Sequence, residues 1–141
     1  MFSRIMTPVD LHHADRLRKA LGTAAGLARQ HDAPMTLVGV TSREPSDVAR
    51  TPEEYEAKLR TFAEDLAAQE GVTVEAHAIF DHDPTADLDA VLAKEVETRG
   101  ADLVVMASHP PQGGLAGLFG GRPHGAALAS KTSASVFLVR E

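Results

Sequence analysis

A repeated change of hydrophobic period narrows the fold of this chain most. Short apolar or alternating runs of strand length are separated by longer segments whose apolar positions fall three and four apart. The strand-like runs are Ile5 to Val9, Met35 to Val40, Val72 to Phe80, Leu103 to Met106 and Ser135 to Val139. Leu17, Ala20, Leu21, Ala24, Leu27 and Ala28 mark one helix face, rich enough in alanine to lie close to a sheet. Thr51-Pro52-Glu53-Glu54 opens a second helix, with Thr51 as cap, Pro52 at the first helical position and Glu54 completing a capping box. That helix runs to Gly71 and buries Tyr55, Leu59, Phe62 and Leu66. Asp83-Pro84 opens a third, with Leu88, Val91, Leu92 and Val96 inward and Gly100 at its end; a weaker one spans about Pro123 to Lys131. Val72 to Phe80 alternates like an edge strand, whereas Leu103 to Met106 is apolar throughout and reads as central. Strand alternating with helix demands parallel pairing through right-handed crossovers. The expected fold is α/β: one doubly wound five-stranded parallel sheet, Rossmann-like, with helices on both faces and a single domain over 1–141.

Composition limits the function. A chain of 141 residues buries roughly 68–70% of its unfolded surface, so it folds without a metal or disulfide staple. The absence of cysteine removes disulfides, thiolate metal sites and thiol catalysis. A net charge of −6 argues against nucleic acid or an anionic membrane as partner. No stretch has the length of a membrane span, and Phe2-Ser3-Arg4-Ile5 runs into a strand without the apolar core of a signal peptide. A cytoplasmic protein is expected.

In an open parallel sheet, ligands bind beyond the carboxyl ends of the strands, where strand order reverses. The residues there are Asp10, His12 and His13; Val40 and Thr41; Asp81 to Asp83; and Ser108 and His109. Six of the eleven glycines fall between Gly113 and Gly125, where backbone N–H groups can turn toward an anion. The same run also reads as a plain linker, as Asp10 reads as a helix cap and Asp83 as the cap ahead of Pro84. The histidines lack ligand spacing, so no metal site is expected. No G-x-S-x-G and no P-loop motif is present, which leaves hydrolysis by Asp10 with His109 or His124 as the weakest reading.

Pro8-Val9-Asp10, the run Asp102 to His109, and Ala134 to Arg140 resemble the universal stress protein family, over the whole chain and in order. The resemblance implies a sheet in the order 3-2-1-4-5, a homodimer formed through the last strands, and ATP or another adenine nucleotide bound with Mg2+. Carried onto this sequence, it places Asp10 on the ribose side, the Val40 backbone at the adenine, and Ala107 and Gly120-Gly121 at positions of the phosphate motif; Pro8, Val9, His109, Arg122, His124 and Gly125 are the further candidate ligand-binding residues. The phosphate motif G-x-x-G-x9-G-S/T is departed from: Ala107 and Pro110 stand in place of its first two glycines, and Gly120-Gly121 lack the following hydroxyl. Pro110 supplies no N–H and cannot take positive φ. A left-handed Ala107 would cost about 1–2 kcal/mol. Arg122, a protonated His124 and the start of the last helix offer other donors to a phosphate or carboxylate. The resemblance thus implies a small regulatory, stress-response protein without a catalytic residue. The alternative is a nucleotide-independent interaction module acting on a transporter or enzyme. In the family's strand order Val136 to Val139 would be an exposed apolar edge, and two-fold pairing with a second copy would cover it.

Overall fold

The computed structural model describes residues 1–108 and 124–140. The strands are β1 (Ile5–Val9), β2 (Met35–Thr41), β3 (Val74–Phe80), β4 (Leu103–Ser108) and β5 (Ser135–Arg140). The helices among the described residues are α1 (Arg18–His31), α2 (Pro52–Glu70), α3 (Pro84–Arg99) and α4 (His124–Lys131), preceded by a 3-10 segment, Leu11–Leu17. All pairings are parallel and the sheet order is β3-β2-β1-β4-β5, as the alternation of periods requires. No helix among the described residues is long and apolar enough to cross a membrane.

Helices cover both faces. Ile5, Val9, Leu37 and Val105 meet Ala20, Leu21, Ala24, Ala28, Leu59 and Ala63 of α1 and α2. Met6, Val38, Val104 and Met106 meet Leu92 and Val96 of α3 and Leu128 of α4. Alanine lets α1 approach the sheet closely. A comparable device admits α2, since a side chain at Gly39 of β2 would collide with the Tyr55 hydroxyl and press on Leu59. Tyr55 is 4% exposed and stacks edge to face on Phe80, with centroids 6.0 Å apart.

Helix ends follow the local chemistry with two departures. Thr51 accepts the Glu54 N–H at 3.1 Å, yet the Glu54 carboxylate accepts from Arg50, also at 3.1 Å, so the expected capping box closes one residue early. Gly71 (φ 66°) and Gly100 (φ 67°) end α2 and α3, whereas α1 ends on Asp32 at φ 51°, a conformation Asp tolerates better than most residues. Phe62, Leu88 and Val91, expected inside, are only half-buried.

β1 is central, but not along its whole length. It pairs with β2 from Ile5↔Met35 to Val9↔Gly39, and with β4 only at Ile5↔Leu103 and Met6↔Val104. Ile5 gives its N–H to Pro34 on the β2 side at 3.1 Å. By strand alternation position 8 faces β4, and Pro8 has no N–H to give. The two strands therefore part after Met6, while β4 continues beside β5 to Ser108↔Arg140. Pro8 lies inside the strand, opposite Val38. β4 runs two residues past its expected end at Met106. β5 is an edge strand on which Phe137 and Leu138 are 45% and 41% exposed.

Two predictions follow from the layer under α1 and α2. Thr7 is 1% exposed and its Oγ1 has no hydrogen-bond partner among the described residues. Thr7→Val should stabilise the fold by about 1 kcal/mol in denaturant titration, because an unsatisfied buried hydroxyl is removed at little change of shape; a loss of stability would refute this account. Tyr55 is the only tyrosine in a chain without tryptophan, so its ultraviolet titration can be read alone. Burial, and secondly the charge of Asp10, push its phenol up to about 12. The folded state thus keeps a proton that the unfolded chain releases from about pH 10, and on the order of 2 kcal/mol of stability, full below pH 10, is lost as pH rises to 12. A phenol midpoint near 10 in the folded protein would overturn this.

Candidate functional site

The parting of β1 and β4 opens a crevice of about 570 Å³ at the carboxyl edge of the sheet. Its floor is apolar: Val38 and Val40 of β2, Met106 of β4, and Leu88 and Leu92 of α3. Pro8 and Ala107 line its sides where the strands diverge, and Val9, Asp10 and His12 lie at the end of β1. Opposite them the segment after β2 contributes Ser42, Glu44, Pro45 and Ser46, and the start of α3 contributes Thr85. The volume suits a small ligand, and an apolar floor under a polar rim is the usual composition of such a site.

Asp10 sits at the rim and also shapes it. Its Oδ1 accepts the His12 N–H at 2.9 Å, its Oδ2 lies 3.0 Å from His13 Nδ1, and its carbonyl accepts the His13 N–H at 3.0 Å. The carboxylate thus caps the 3-10 segment, the plainer of its two readings, and remains 56% exposed at the crevice mouth. The two roles are compatible, since a carboxylate has more acceptor sites than these contacts use.

The predicted site residues Pro8, Val9, Asp10, Val40 and Ala107 all line this one crevice. Ala107 is extended and pairs with Val139, so it needs no left-handed backbone and incurs no such cost. His109, Pro110, Gly120, Gly121 and Arg122 lie outside the described residues. His124 and Gly125 open α4. His82 is exposed, and among the described residues no three His, Cys, Asp or Glu side chains converge as a metal site would need. Asp83 caps α3 by accepting the Ala86 N–H at 3.3 Å, while Asp81 accepts from Asp83 at 2.8 Å. Asp87 joins them, and its carboxyl is raised by its hydrogen bond to Asp81 and then by that neighbour's charge.

The wall formed by 42–50 has no helix or strand of its own. Ser46 organises it: its Oγ accepts the N–H groups of Val48 and Ala49, and its N–H donates to the Ala49 carbonyl at 2.8 Å. Ser46 between Pro45 and Asp47 is the signal that would have found this turn. From α2, Lys58 Nζ donates to the Val48 carbonyl. The Arg50 N–H, and then Lys58, hold the Glu54 carboxyl below its ordinary value. Arg43 lies over the Phe80 ring, 5.2 Å from its centroid. The charged side chains among the described lining residues are Asp10 and Glu44, both acidic.

The profile of the universal stress protein family, Usp, matches residues 1–140. None of the curated proteins compared matches the chain. Among solved structures, a universal stress protein in complex with cAMP superposes with a TM-score of 0.72 at 17% identity, covering 98% of this chain and 97% of that one. A universal stress protein from Archaeoglobus fulgidus in complex with dAMP gives 0.65 at 21% identity, covering 96% of each chain. A universal stress protein family protein from Arabidopsis thaliana with AMP bound gives 0.62 at 16% identity, covering 99% and 92%. At these identities the superpositions speak for the fold, and the profile over nearly every residue speaks for descent: the chain belongs to the universal stress protein family.

Proposed function

We propose that this protein binds an adenine nucleotide in the crevice between β1 and β4 and acts as a dimeric regulatory, stress-response protein of the cytoplasm. The observation that carries the reading is the apolar floor of Val40, Leu88, Leu92 and Met106 facing the Asp10 carboxylate across one crevice. A planar base buries its faces on such a floor, and a carboxylate at the mouth accepts hydrogen bonds from the ribose hydroxyls. The relatives solved with cAMP, dAMP and AMP support the ligand class. Mg2+ and the glycine-rich stretch from His109 to Arg122 would serve the phosphates. Calorimetric titration of AMP, ADP and ATP, with and without Mg2+, into nucleotide-free protein tests the reading. Micromolar binding is expected, weakened about tenfold in Asp10→Ala by the loss of a charged acceptor. Absence of heat from all three nucleotides would sink it.

The second reading, an interaction module independent of nucleotide, is favoured by the edge of β5, where Phe137 and Leu138 stay half exposed. In the nucleotide reading that edge is the homodimer interface: two copies pair about a two-fold axis and cover both edges. Light scattering at micromolar concentration should therefore give a dimer, and Phe137→Asp with Leu138→Asp a folded monomer. A monomeric native protein would leave the edge for a different partner, such as a transporter or enzyme.

A further inference from the structure

The irregular segment 42–50 walls the crevice through Ser42, Glu44, Pro45 and Ser46. Two side chains of α2 reach it from outside. Lys58 Nζ donates to the Val48 carbonyl, and Glu54 Oε2 accepts the Arg50 N–H at 3.1 Å. The same two side chains pair with each other, Nζ to Oε1 at 3.3 Å. Val48 belongs to the turn that Ser46 closes, and Ser46 is itself part of the wall. A chain of contacts therefore runs from Glu54 and Lys58 through Val48 and Arg50 to the crevice, although neither α2 side chain lines it.

We infer that the Glu54–Lys58 pair is a positioning device, which fixes the crevice wall and so sets the affinity for ligand without touching it. The inference rests on the reading that the crevice binds a nucleotide. The side chains of Lys58 and Glu54 are 50% and 42% exposed, and an exposed pair of this kind adds little to global stability. Its effect on a binding wall is of a different order. A ligand that needs one arrangement of the wall binds more weakly in proportion to the time the wall spends elsewhere. Two anchors that meet the segment 42–50 close to the crevice act on that fraction and hardly on folding.

Lys58→Met keeps the aliphatic stem and removes the ammonium; Lys58→Arg keeps charge and donors. Titration with AMP should show affinity lowered about tenfold in Lys58→Met and within about twofold of native in Lys58→Arg, with thermal midpoints nearly unchanged in both. Native affinity in Lys58→Met, or equal weakness in both variants, would overturn the inference. Hydrogen exchange of the ligand-free proteins separates this from the nucleotide reading. Faster exchange at Val48, Ala49 and Arg50 in Lys58→Met, and not in Lys58→Arg, is expected. Unchanged exchange overturns the positioning role whatever AMP does. Faster exchange in a protein that takes up no AMP upholds that role and removes the nucleotide reading alone.

Discussion

The loss of pairing between β1 and β4 after Met6 is the constraint on which the rest of this structure depends. A parallel sheet normally keeps its central strands bonded, since each unpaired buried N–H or C=O costs free energy comparable to a hydrogen bond. Pro8 removes the donor half of that conflict, because the position facing β4 carries no N–H. The strands are then free to diverge toward their carboxyl ends. Chain direction does the remainder. β1 leads to α1 on one face, and the next described element after β4 is α4, on the other face.

A sheet that opens at one edge needs holding at the other, and Asp102 supplies part of that hold. Its carboxylate accepts the Ser3 N–H at 2.8 Å and the Arg4 N–H at 3.0 Å. Its own N–H donates to Arg4, and its carbonyl accepts from Ser135. The segments entering β1, β4 and β5 are thus tied through one residue. Partial burial by itself would raise the Asp102 carboxyl, but the donors at Arg4 and Ser3 outweigh it and hold the group below its ordinary value. The clamp is therefore charged at neutral pH. Its contribution is present above the ordinary carboxylate range and lost only as pH falls through the lowered value. The amino edge is bonded while the carboxyl edge is open, the polarity expected of a fold that binds at strand ends.

The strands and helices were legible because each carries its own period or cap: alanine at helical spacing for α1, Thr51-Pro52 for α2, Asp83-Pro84 for α3. The 3-10 segment Leu11–Leu17 was not, since it has no apolar period and depends on the Asp10 cap and a kink at His13. Ala107 and Ser108 looked like loop because small and polar residues carry little strand preference; pairing with Val139 and Arg140 makes them strand. The site was legible to the same depth. Asp10, Val40 and Ala107 follow from the rule that ligands gather at strand ends. Leu88 and Leu92 were recognised as inward, but which crevice they floor depends on packing. The wall was illegible because its bonds join Val48 to Lys58 and Arg50 to Glu54 across a helix start. Asp32 was missed as a helix end because glycine is the usual signal there.

The distribution of charge around the crevice limits how it can discriminate. Its floor offers apolar surface, worth roughly 25 cal/mol per Å2 of apolar area removed from water, and this favours any flat base of sufficient size. In the proposed nucleotide reading Asp10, half exposed, would add direction: its charge would strengthen a hydrogen bond donated by a hydroxyl, while solvent would screen its repulsion of a phosphate several ångströms away. Glu44 adds a second negative charge on the opposite wall. With both charged side chains among the described lining residues acidic, these walls, in the proposed nucleotide reading, would reward a nucleoside and give nothing to each added phosphate. In that reading, the number of phosphates would be decided by groups outside these walls. Recognition of the base and ribose and recognition of the phosphates are physically separate in such a site, so substitutions in the phosphate motif can weaken the second while leaving the first intact.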